Sequence, residues 1–356
     1  MRVLYFGTYE RDYPRNAQVI SCLRRAGVEV VERHATLWER RRHKWSLCAG
    51  AMARVAVKET RLLLGRKGAF DVMIVGYPGH FDMPAARRIA GRRPLVFNPL
   101  ISLWDTLVGD RERFAQGSRA AGVLRQIDRL AFRRADLVVA DTEQNARFFT
   151  EQFSLPRERT AVCLVGAEDD VFRPAWQPPQ TFDVLFVGKL IPLHGLETIL
   201  GAARLLPEVP FRVVGSGQLD AALDNRPANV SWTPWIDYEK LPETIQVAGC
   251  ALGIFGSSDK AARVIPNKAF QALACGTPLI TADTPAAREL LTHDRDARLV
   301  PAADAAELAT AIRRLSGDPS LARRVGDAGR ATYEARASEE VLGAQWRELL
   351  ESLLAR

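Results

Sequence analysis

Basic side chains next to glycines mark one turn of the chain as a place where an anion could bind. The stretch GKLIPLHGLETI (188–199) follows an apolar run typical of a buried strand and leads into a run typical of a helix. Lys189 follows Gly188, and His194 precedes Gly195. Backbone amides at a helix N-terminus and a nearby cation both favour a phosphate. We therefore predict a phosphate-facing turn; the alternative is two basic side chains in solvent.

A second group of cations lies at the start of another predicted helix. In the stretch 257–281, Pro266 occupies the expected first helical position, and Lys260, Arg263 and Lys268 lie close to it in sequence. Cations oppose the dipole at a helix N-terminus, and a bound diphosphate would remove that conflict. The segment predicts a diphosphate site that also uses the backbone amides at 264, 265, 267 and 268. A solvated helix end is the alternative.

Two glycines, Gly215 and Gly217, follow another predicted strand in VVGSGQ (213–218). Glycine lets a ligand or another backbone segment come close. A plain turn would use the same residues, so this motif alone does not identify a ligand.

The elements that must position these turns alternate along the whole chain. The strand-like runs are short, β-branched and apolar on both faces, which is typical of parallel strands covered by helices on both sides. They lie at 2–6, 28–32, 71–75, 94–98, 136–140, 160–165, 183–188, 211–215, 229–233, 251–255, 278–282 and 297–300. Later predicted helices lie at 195–206, 239–248, 266–275, 285–291, 303–315, 319–333 and 338–355.

A proline-rich stretch, FRPAWQPPQTFD (172–183), interrupts the alternation and predicts a stiff linker with the domain boundary inside it. The pattern on either side predicts two doubly wound α/β domains in series, with a cleft between them. In such sheets, ligands bind at the carboxyl ends of the strands.

Length and composition exclude several classes of protein. The chain has 356 residues, 47% hydrophobic and 26% charged, which is expected for two globular domains. It contains no apolar run long enough to span a bilayer, and its N-terminus is typical of a first strand rather than of a signal peptide. Five cysteines without a C-x-x-C pair and five scattered histidines predict a reduced, cytoplasmic protein without a structural metal.

Positive charge is concentrated in residues 33–67, which hold ten Lys and Arg against two Glu. Within 45–64, residues at helical spacing form an apolar stripe of Trp45, Cys48, Met52, Val55, Leu62 and Leu63. An adjacent basic stripe consists of Arg54, Lys58 and Arg61. Such a helix can lie on an anionic membrane surface, so we predict peripheral contact through 38–67 at the inner face. The alternative is a helix that packs its stripe on the sheet. Few aromatics accompany the charges, which argues against nucleic-acid binding.

Three motifs, GKLIPLHGLETI, VVGSG and IPNKAFQALACGTPLITAD, resemble in order and spacing the C-terminal domain of retaining GT-B glycosyltransferases of family 4, or group 1. The resemblance covers nearly all of 181–300. In the first half, RADLVVADTEQNARFF and AVCLVGAEDDVFRP also look like family segments. It implies two Rossmann-like domains facing across a cleft: an acceptor-binding domain, 1–173, and a donor-binding domain, 181–335. The C-terminal helix, about 340–356, would pack back on the first domain.

The resemblance implies a nucleotide-diphosphate-sugar donor and transfer with retention of anomeric configuration, without a metal or cofactor. Residues implied to bind the donor phosphates are Gly7, Gly188, Lys189, His194, Arg263, Val264, Ile265, Asn267 and Lys268. Those implied to bind the base or ribose are Gly215, Gly217, Trp235, Ile236 and Gln271. His194 stands where the family usually has lysine. The family's two glutamates, eight residues apart, are here Arg263 and Gln271. Gln271 could still bond a ribose hydroxyl, and Arg263 could pair with phosphate.

The first half offers one catalytic candidate. Asp105, in FNPLISLWDTLVGDR (97–111), could orient an acceptor hydroxyl or stabilise an oxocarbenium-like centre, while Lys189 and His194 stabilise charge on the leaving diphosphate. A local cap or salt bridge is the alternative for Asp105. Where family members carry a phosphate-facing glycine pair, this sequence has only Gly7. His80, which follows another predicted strand, is a weaker candidate for a site residue.

The sequence therefore predicts a metal-independent, retaining hexosyltransferase that acts on a hydroxyl of a glycan, lipid-linked or small-molecule acceptor. One alternative is a GT-B nucleotide-sugar epimerase, for which the sequence shows no clear pair of acid–base carboxylates. Another is a non-catalytic nucleotide-sugar-binding subunit, which the replacement of both glutamates would suit.

Overall fold

A computed structural model describes residues 1–11, 13–37, 49–64 and 68–356, with only the backbone of 49–53. The chain divides into two compact units, Met1–Val165 with Glu339–Arg356, and Gly166–Ser338. The division precedes the predicted linker 172–183, which forms neither helix nor strand and belongs to the second unit. Trp176 is buried there, and its Nε1 donates to the carbonyl of Ala248 at 2.7 Å. Burial of this large side chain fixes the segment on the second unit.

The first unit is built on a parallel six-stranded sheet in the order β2-β1-β3-β4-β5-β6. Its strands are β1 Arg2–Gly7, β2 Glu29–His34, β3 Val72–Val75, β4 Leu95–Phe97, β5 Leu137–Ala140 and β6 Thr160–Val162. Its helices are α1 Pro14–Arg25, α2 Ala49–Leu64, α3 Met83–Ala90, α4 Arg119–Arg134 and α5 Glu143–Phe153. Every residue of β3 and β5 is buried, as their continuous apolar sequences require when helices cover both faces of the sheet.

The second unit contains another parallel six-stranded sheet, in the order β12-β11-β10-β7-β8-β9. Its strands are β7 Val184–Val187, β8 Phe211–Val214, β9 Val230–Thr233, β10 Cys250–Leu252, β11 Leu279–Ala282 and β12 Arg298–Val300. Its helices are α6 Leu196–Leu205, α7 Leu241–Gln246, α8 Asp259–Arg263, α9 Asn267–Cys275, α10 Ala287–Leu290, α11 Ala305–Gly317 and α12 Pro319–Arg336.

The C-terminal helix, α13 Glu339–Leu354, returns to the first unit and packs on α1. Its Leu342 and Trp346 are fully buried in one apolar cluster with Val19 and Leu23 of α1. The apolar stripe of α13 thus completes the core of the first unit.

The strand orders fix where a ligand can enter each sheet. In the second sheet the chain leaves β7 toward β8 and later returns to β10 on the other side of β7, so the order reverses between β7 and β10. In the first sheet the reversal lies between β1 and β3. Loops at the carboxyl ends of such strand pairs diverge and leave a crevice, which is the usual ligand site of open α/β sheets.

All twelve predicted strands are present, and their ends lie within three residues of the predicted ends. Three details differ. Pro266 is the N-cap of α9 rather than its first residue, because its extended conformation precedes the helix. A short helix, α8, forms where a loop was expected, because Ser258 caps it by accepting from the amide of Ala261. A π-helical segment, Asp105–Asp110, forms after β4.

Candidate functional site

The turn after β7 brings together residues from two distant parts of the second unit. Gly188 directly follows the strand with a φ of +148°, a backbone conformation that residues with a side chain rarely adopt. A Cβ on this residue would lie 2.7 Å from Nζ of Lys268 and 3.3 Å from Cε1 of His194. The absence of a side chain at 188 therefore lets two basic groups meet at the end of β7.

Lys268 carries an unusual buried amine. Its side chain is partly buried, but its Nζ is fully buried and has no hydrogen-bond partner among the described residues. Burial holds the pKa of Lys268 well below its usual value. Nζ lies 3.7 Å from the centroid of the Phe186 ring, whose face stabilises the charged form. A buried polar group without a partner needs an explanation, and an anionic ligand would supply one.

His194 is held in one tautomer by the same turn. Its Nδ1 contacts the carbonyl oxygen of Lys189; because a carbonyl only accepts, Nδ1 carries the proton. The ring packs edge-on against Phe186, with centroids 5.7 Å apart. Lys189 itself is exposed. Phe186 therefore fixes both Lys268 and His194 next to Gly188.

The loops after β7 and β10, which flank the reversal of strand order, are tied together. The amides of Phe255 and Gly256 donate to the carbonyls of His194 and Leu193 at 3.1 and 3.2 Å. These hydrogen bonds hold the backbone of the β7 turn at the place where the sheet topology leaves a crevice.

The glycines after β8 have a structural reason within the protein. A Cβ on Gly215, whose φ is +128°, would lie 2.0 Å from the carbonyl oxygen of Gly188. A Cβ on Gly217, which is exposed, would lie 2.5 Å from the carbonyl oxygen of Leu190. The two glycines let the β8 loop pack on the β7 turn, and their predicted contact with a nucleotide stays a prediction.

The other predicted phosphate ligands lie between β10 and α9. Arg263 ends α8, Val264 follows it, Ile265 is buried, and Asn267 begins α9. The N-terminus of α9 has no side-chain cap from the described residues. Its first-turn amides thus lack a side-chain acceptor from the described residues.

Gln271, which stands in place of a family glutamate, takes part in a hydrogen-bond chain. The hydroxyl of Tyr238 donates to Oε1 of Glu168 at 2.9 Å, and the Gln271 side chain also reaches this hydroxyl. Burial and the Glu168 carboxylate raise the pKa of Tyr238. Trp235 and Ile236 precede this tyrosine after β9, and Trp235 is 78% exposed. Sequence reasoning missed Glu168 because it lies about a hundred residues before Gln271.

In the first unit, Gly7 faces a carboxylate. Asp82 is fully buried, and its Oδ2 lies 2.4 Å from where a Cβ on Gly7 would be. Asp82 accepts from the amide of Thr8 at 2.9 Å and from its hydroxyl at 2.8 Å. The amide of Thr8 is therefore already used, and the phosphate role predicted for Gly7 stays a prediction.

Asp82 is also one half of a carboxyl pair with Glu59 of α2. Both carboxyl oxygens of Glu59 are buried, and no donor among the described residues reaches them. Burial and the adjacent Asp82 raise the pKa of Glu59, so this carboxyl keeps its proton. The sequence analysis found no carboxylate pair, because these residues lie on a helix and a loop whose contact has no sequence signature.

Asp105 begins the π-helical segment and is buried, with its amide donating to Ser102 Oγ at 3.0 Å. The loop before it is anchored by Asp128 of α4. Asp128 accepts from the Ser102 hydroxyl and from the amides of Leu103 and Trp104 at 2.6, 3.0 and 2.9 Å. His80 Nε2 lies 3.3 Å from Asp128. Burial raises the pKa of Asp128 and lowers that of His80. His80 therefore packs against the anchor of the Asp105 loop.

The predicted site residues fall into two groups. In the second unit, the structure brings Gly188, Lys189, His194 and Lys268 to one turn, with Gly215 packed on it. Gly7 and Asp105 belong to the first unit, where Gly7 ends β1 and Asp105 lies in the segment after β4. No group of three His, Cys, Asp or Glu in the described ranges is placed to hold a metal ion.

The basic segment is described only in part. Trp45, Cys48 and the charges at 40–44, 66 and 67 lie outside the described residues, as does the side chain of Met52. In the described part of α2, Val55 and Leu62 are buried in the protein's own apolar clusters, which is the alternative that the sequence left open. No helix within the described ranges has the length and apolar character needed to cross a membrane.

Two family models match the chain. Residues 2–166 match a glycosyl transferase 4-like domain, and residues 181–318 match glycosyl transferases group 1. Together they span most of both units.

Relatives and solved structures agree with these matches. A D-inositol 3-phosphate glycosyltransferase of Streptomyces bingchenggensis is 28% identical over 295 residues, 73% of this chain but 62% of the relative, less than two thirds of its length. A sucrose-phosphate synthase of Thermosynechococcus elongatus has a TM-score of 0.77 at 17% identity over 99% of both chains. Anabaena Alr3699/HepE, in complex with UDP and glucose, has a TM-score of 0.71 at 18% identity over 99% of this chain and 100% of its own.

The sheet orders and these matches agree on the architecture, and both halves of the chain match models of one enzyme class. The chain has the GT-B fold and belongs to the glycosyltransferase group 1 family.

Proposed function

We propose that the chain is a cytoplasmic retaining glycosyltransferase. It moves a hexose from a nucleotide-diphosphate sugar to a hydroxyl of a glycan, lipid-linked or small-molecule acceptor, without a metal or cofactor. The observation that carries this proposal is the buried Nζ of Lys268, which has no partner in the described part of the chain and lies beside Gly188 and His194. A diphosphate at the end of β7 would supply the missing acceptors.

The chemistry that this cluster supports is the departure of a nucleoside diphosphate. When the bond from sugar to phosphate breaks, negative charge grows on the β-phosphate. Lys268 and His194 meet at the turn where that charge would form, Lys189 is part of the same turn, and the N-terminus of α9 adds its dipole. Because Lys268 lies in a poorly solvated place, its attraction for this charge exceeds that of an exposed lysine.

Further support for the donor class comes from a structural relative, since Anabaena HepE is described in complex with UDP and glucose. Retention of configuration and independence from metal rest on the family resemblance. For the acceptor, a matched relative is named a D-inositol 3-phosphate glycosyltransferase, which is compatible with a small-molecule hydroxyl. Asp105 would orient that hydroxyl or stabilise the sugar cation.

The test is donor turnover in the presence of a chelator. Purified protein is incubated with UDP-, GDP- and dTDP-hexoses. Proton NMR measures the released sugar and identifies which of its anomers appears first. We expect slow hydrolysis of one donor, and the sugar released first should keep the donor's anomeric configuration. The rate should be at least about tenfold lower in Lys268→Met, because the charge-assisted hydrogen bonds to the leaving diphosphate are lost. The exposed Lys240 of the same unit gives the control Lys240→Met.

Other outcomes would contradict the proposal. Binding of a donor that stays intact would favour a non-catalytic subunit. Conversion of the donor into an epimer would favour an epimerase. Equal turnover by wild type and Lys268→Met would remove Lys268 from the reaction.

We also propose that the exposed face of α2 contacts an anionic membrane. Helical spacing places exposed Arg54, Val57, Arg61 and Leu64 on one side, with Val57 67% and Leu64 81% exposed. An apolar and basic face of this kind suits a lipid interface. Sedimentation with phosphatidylglycerol vesicles should weaken in Val57→Ser/Leu64→Ser, whereas unchanged sedimentation would contradict the contact.

A further inference from the structure

A basic cavity in the first unit is not explained by the donor site. It has a volume of about 330 Å³ and lies between the end of β2 and α2. Its polar lining consists of Arg33 and His34 at the end of β2, Thr36 just after it, and Lys58 and Arg61 on α2. The volume is at the lower end of the range for small-molecule pockets.

The cations of this cavity are not neutralised by the described residues. Arg33 Nη2 is buried without a hydrogen-bond partner there, and burial lowers the pKa of the guanidinium. Over the same described ranges, no carboxylate forms an ion pair with Arg33, Lys58 or Arg61. Three like charges around one cavity repel each other unless an anion lies between them.

Two described carboxyl groups adjacent in sequence to these cations, Glu32 and Glu59, do not neutralise them. Glu32 precedes Arg33 on β2, so its side chain points to the opposite face, where it pairs with Arg11 and Arg24 at 3.2 and 3.0 Å. Glu59 lies between Lys58 and Arg61 in sequence, but burial and the adjacent Asp82 raise its pKa, so it keeps its proton and carries no charge to offset them. Within the described ranges, the positive charge at the cavity is therefore not cancelled.

The place of the cavity connects it with the acceptor. β2 is hydrogen-bonded to β1, which borders the reversal of strand order in the first sheet. The cavity opens at the carboxyl ends of these strands, the edge at which α/β sheets bind ligands. Because the proposed function places the acceptor in this unit, the inference rests on that function.

We propose that the cavity formed by Arg33, Lys58 and Arg61 binds a phosphate group carried by the acceptor. A phosphate accepts a forked pair of hydrogen bonds from a guanidinium and still has oxygens for the two helix cations. Its double negative charge matches the cluster better than a single carboxylate. The phosphate comes either from a soluble phosphomonoester or from a lipid headgroup.

Phosphate binding is measured by isothermal titration of inorganic phosphate into the wild type and four variants. Arg33→Gln removes the guanidinium whose Nη2 is buried, and Arg61→Gln, at a more exposed position, covers the case that Arg33→Gln does not fold. Arg129→Gln removes an exposed arginine of the same unit, and Lys268→Met alters the donor site. We expect saturable binding that weakens about tenfold or more in Arg33→Gln and Arg61→Gln but persists in the other two.

Vesicles distinguish the two sources of phosphate. If the source is a headgroup, vesicles with phosphatidic acid bind more tightly than vesicles with phosphatidylglycerol, and Arg33→Gln removes the difference. If the source is soluble, Arg33→Gln leaves vesicle binding unchanged and lowers only the binding of free phosphate. Both results support a phosphate site and identify its ligand.

Two results would overturn the inference: no saturable phosphate binding by the wild type, or equal phosphate binding by wild type and Arg33→Gln. A parallel titration with nucleoside diphosphate separates this failure from failure of the donor site. If nucleoside diphosphate binds but phosphate does not bind at the cavity, only the proposed phosphate site is refuted. Phosphate binding that depends on Arg33, with no nucleoside diphosphate bound, refutes the donor site alone.

Discussion

Lys268 should take up a proton when a nucleoside diphosphate binds. In the free protein, burial holds the pKa of this amine well below its usual value, and no acceptor among the described residues opposes the effect. A diphosphate beside Gly188 would bring opposite charge within a few ångströms of Nζ. Such a charge typically raises the pKa of an amine by about one to three units.

The sign of the pH dependence follows from this shift. Above the free-state pKa of Lys268, the amine is neutral before binding and charged after it, so rising pH opposes binding. Affinity should fall up to about tenfold per pH unit between the free-state and the bound-state pKa. Replacement by methionine removes the linkage and the charge-assisted bonds, which are worth about 1.5–3 kcal/mol, or roughly 10- to 150-fold in Kd.

The assay is calorimetric titration of the preferred nucleoside diphosphate at pH 8 in two buffers with different ionisation enthalpies. The difference in observed heat gives the number of protons taken up. We expect the wild type to take up more protons on binding than Lys268→Met does, and Lys240→Met to match the wild type. Protonation of the ligand itself cancels in this comparison. Equal proton numbers in wild type and Lys268→Met, or tighter binding at higher pH, would refute the reasoning.

Three further predictions concern stability and are checked by thermal unfolding. Glu59 keeps a proton in the folded state that the unfolded chain loses above about pH 4.5, so wild-type stability falls as pH rises from there. The Tm of Glu59→Gln should therefore rise relative to that of the wild type as the pH goes from 5 to 9. A difference in Tm that stays constant over this range would contradict the raised pKa of Glu59. Gly215→Ala should lose about 1–3 kcal/mol through its clash with the β7 turn, whereas Gly122→Ala, in the open on α4, should not destabilise. Asp128→Asn should lose about 1–3 kcal/mol, since one amide oxygen cannot replace a carboxylate that accepts three hydrogen bonds; an unchanged Tm would show that the anchor is dispensable.

The fold could be predicted from the sequence because each strand is a short apolar run bounded by turn residues. Every predicted strand is present, and the C-terminal helix packs on the first unit. The linker was harder to place, because its prolines indicate stiffness but do not reveal that Trp176 is buried against the second unit. In that segment tertiary contacts outweighed the local composition.

The site could be predicted only as far as turns after strands. Gly188 and His194 are neighbours in sequence, so their turn was visible. The approach of Lys268 Nζ to Gly188 depends on the strand order and on where α9 begins. Residue patterns alone do not predict either feature, and only the resemblance to a known family indicates them. The pairing of Glu59 with Asp82 depends on how α2 packs, and nothing in the spacing of these residues indicates it.

A crystal structure of the protein with its preferred nucleoside diphosphate would test the central claim most directly. The account predicts a β-phosphate oxygen within hydrogen-bonding distance of Lys268 Nζ, beside Gly188 and close to His194. A well-ordered diphosphate bound elsewhere, with Lys268 still buried against Phe186 and unpaired, would contradict it.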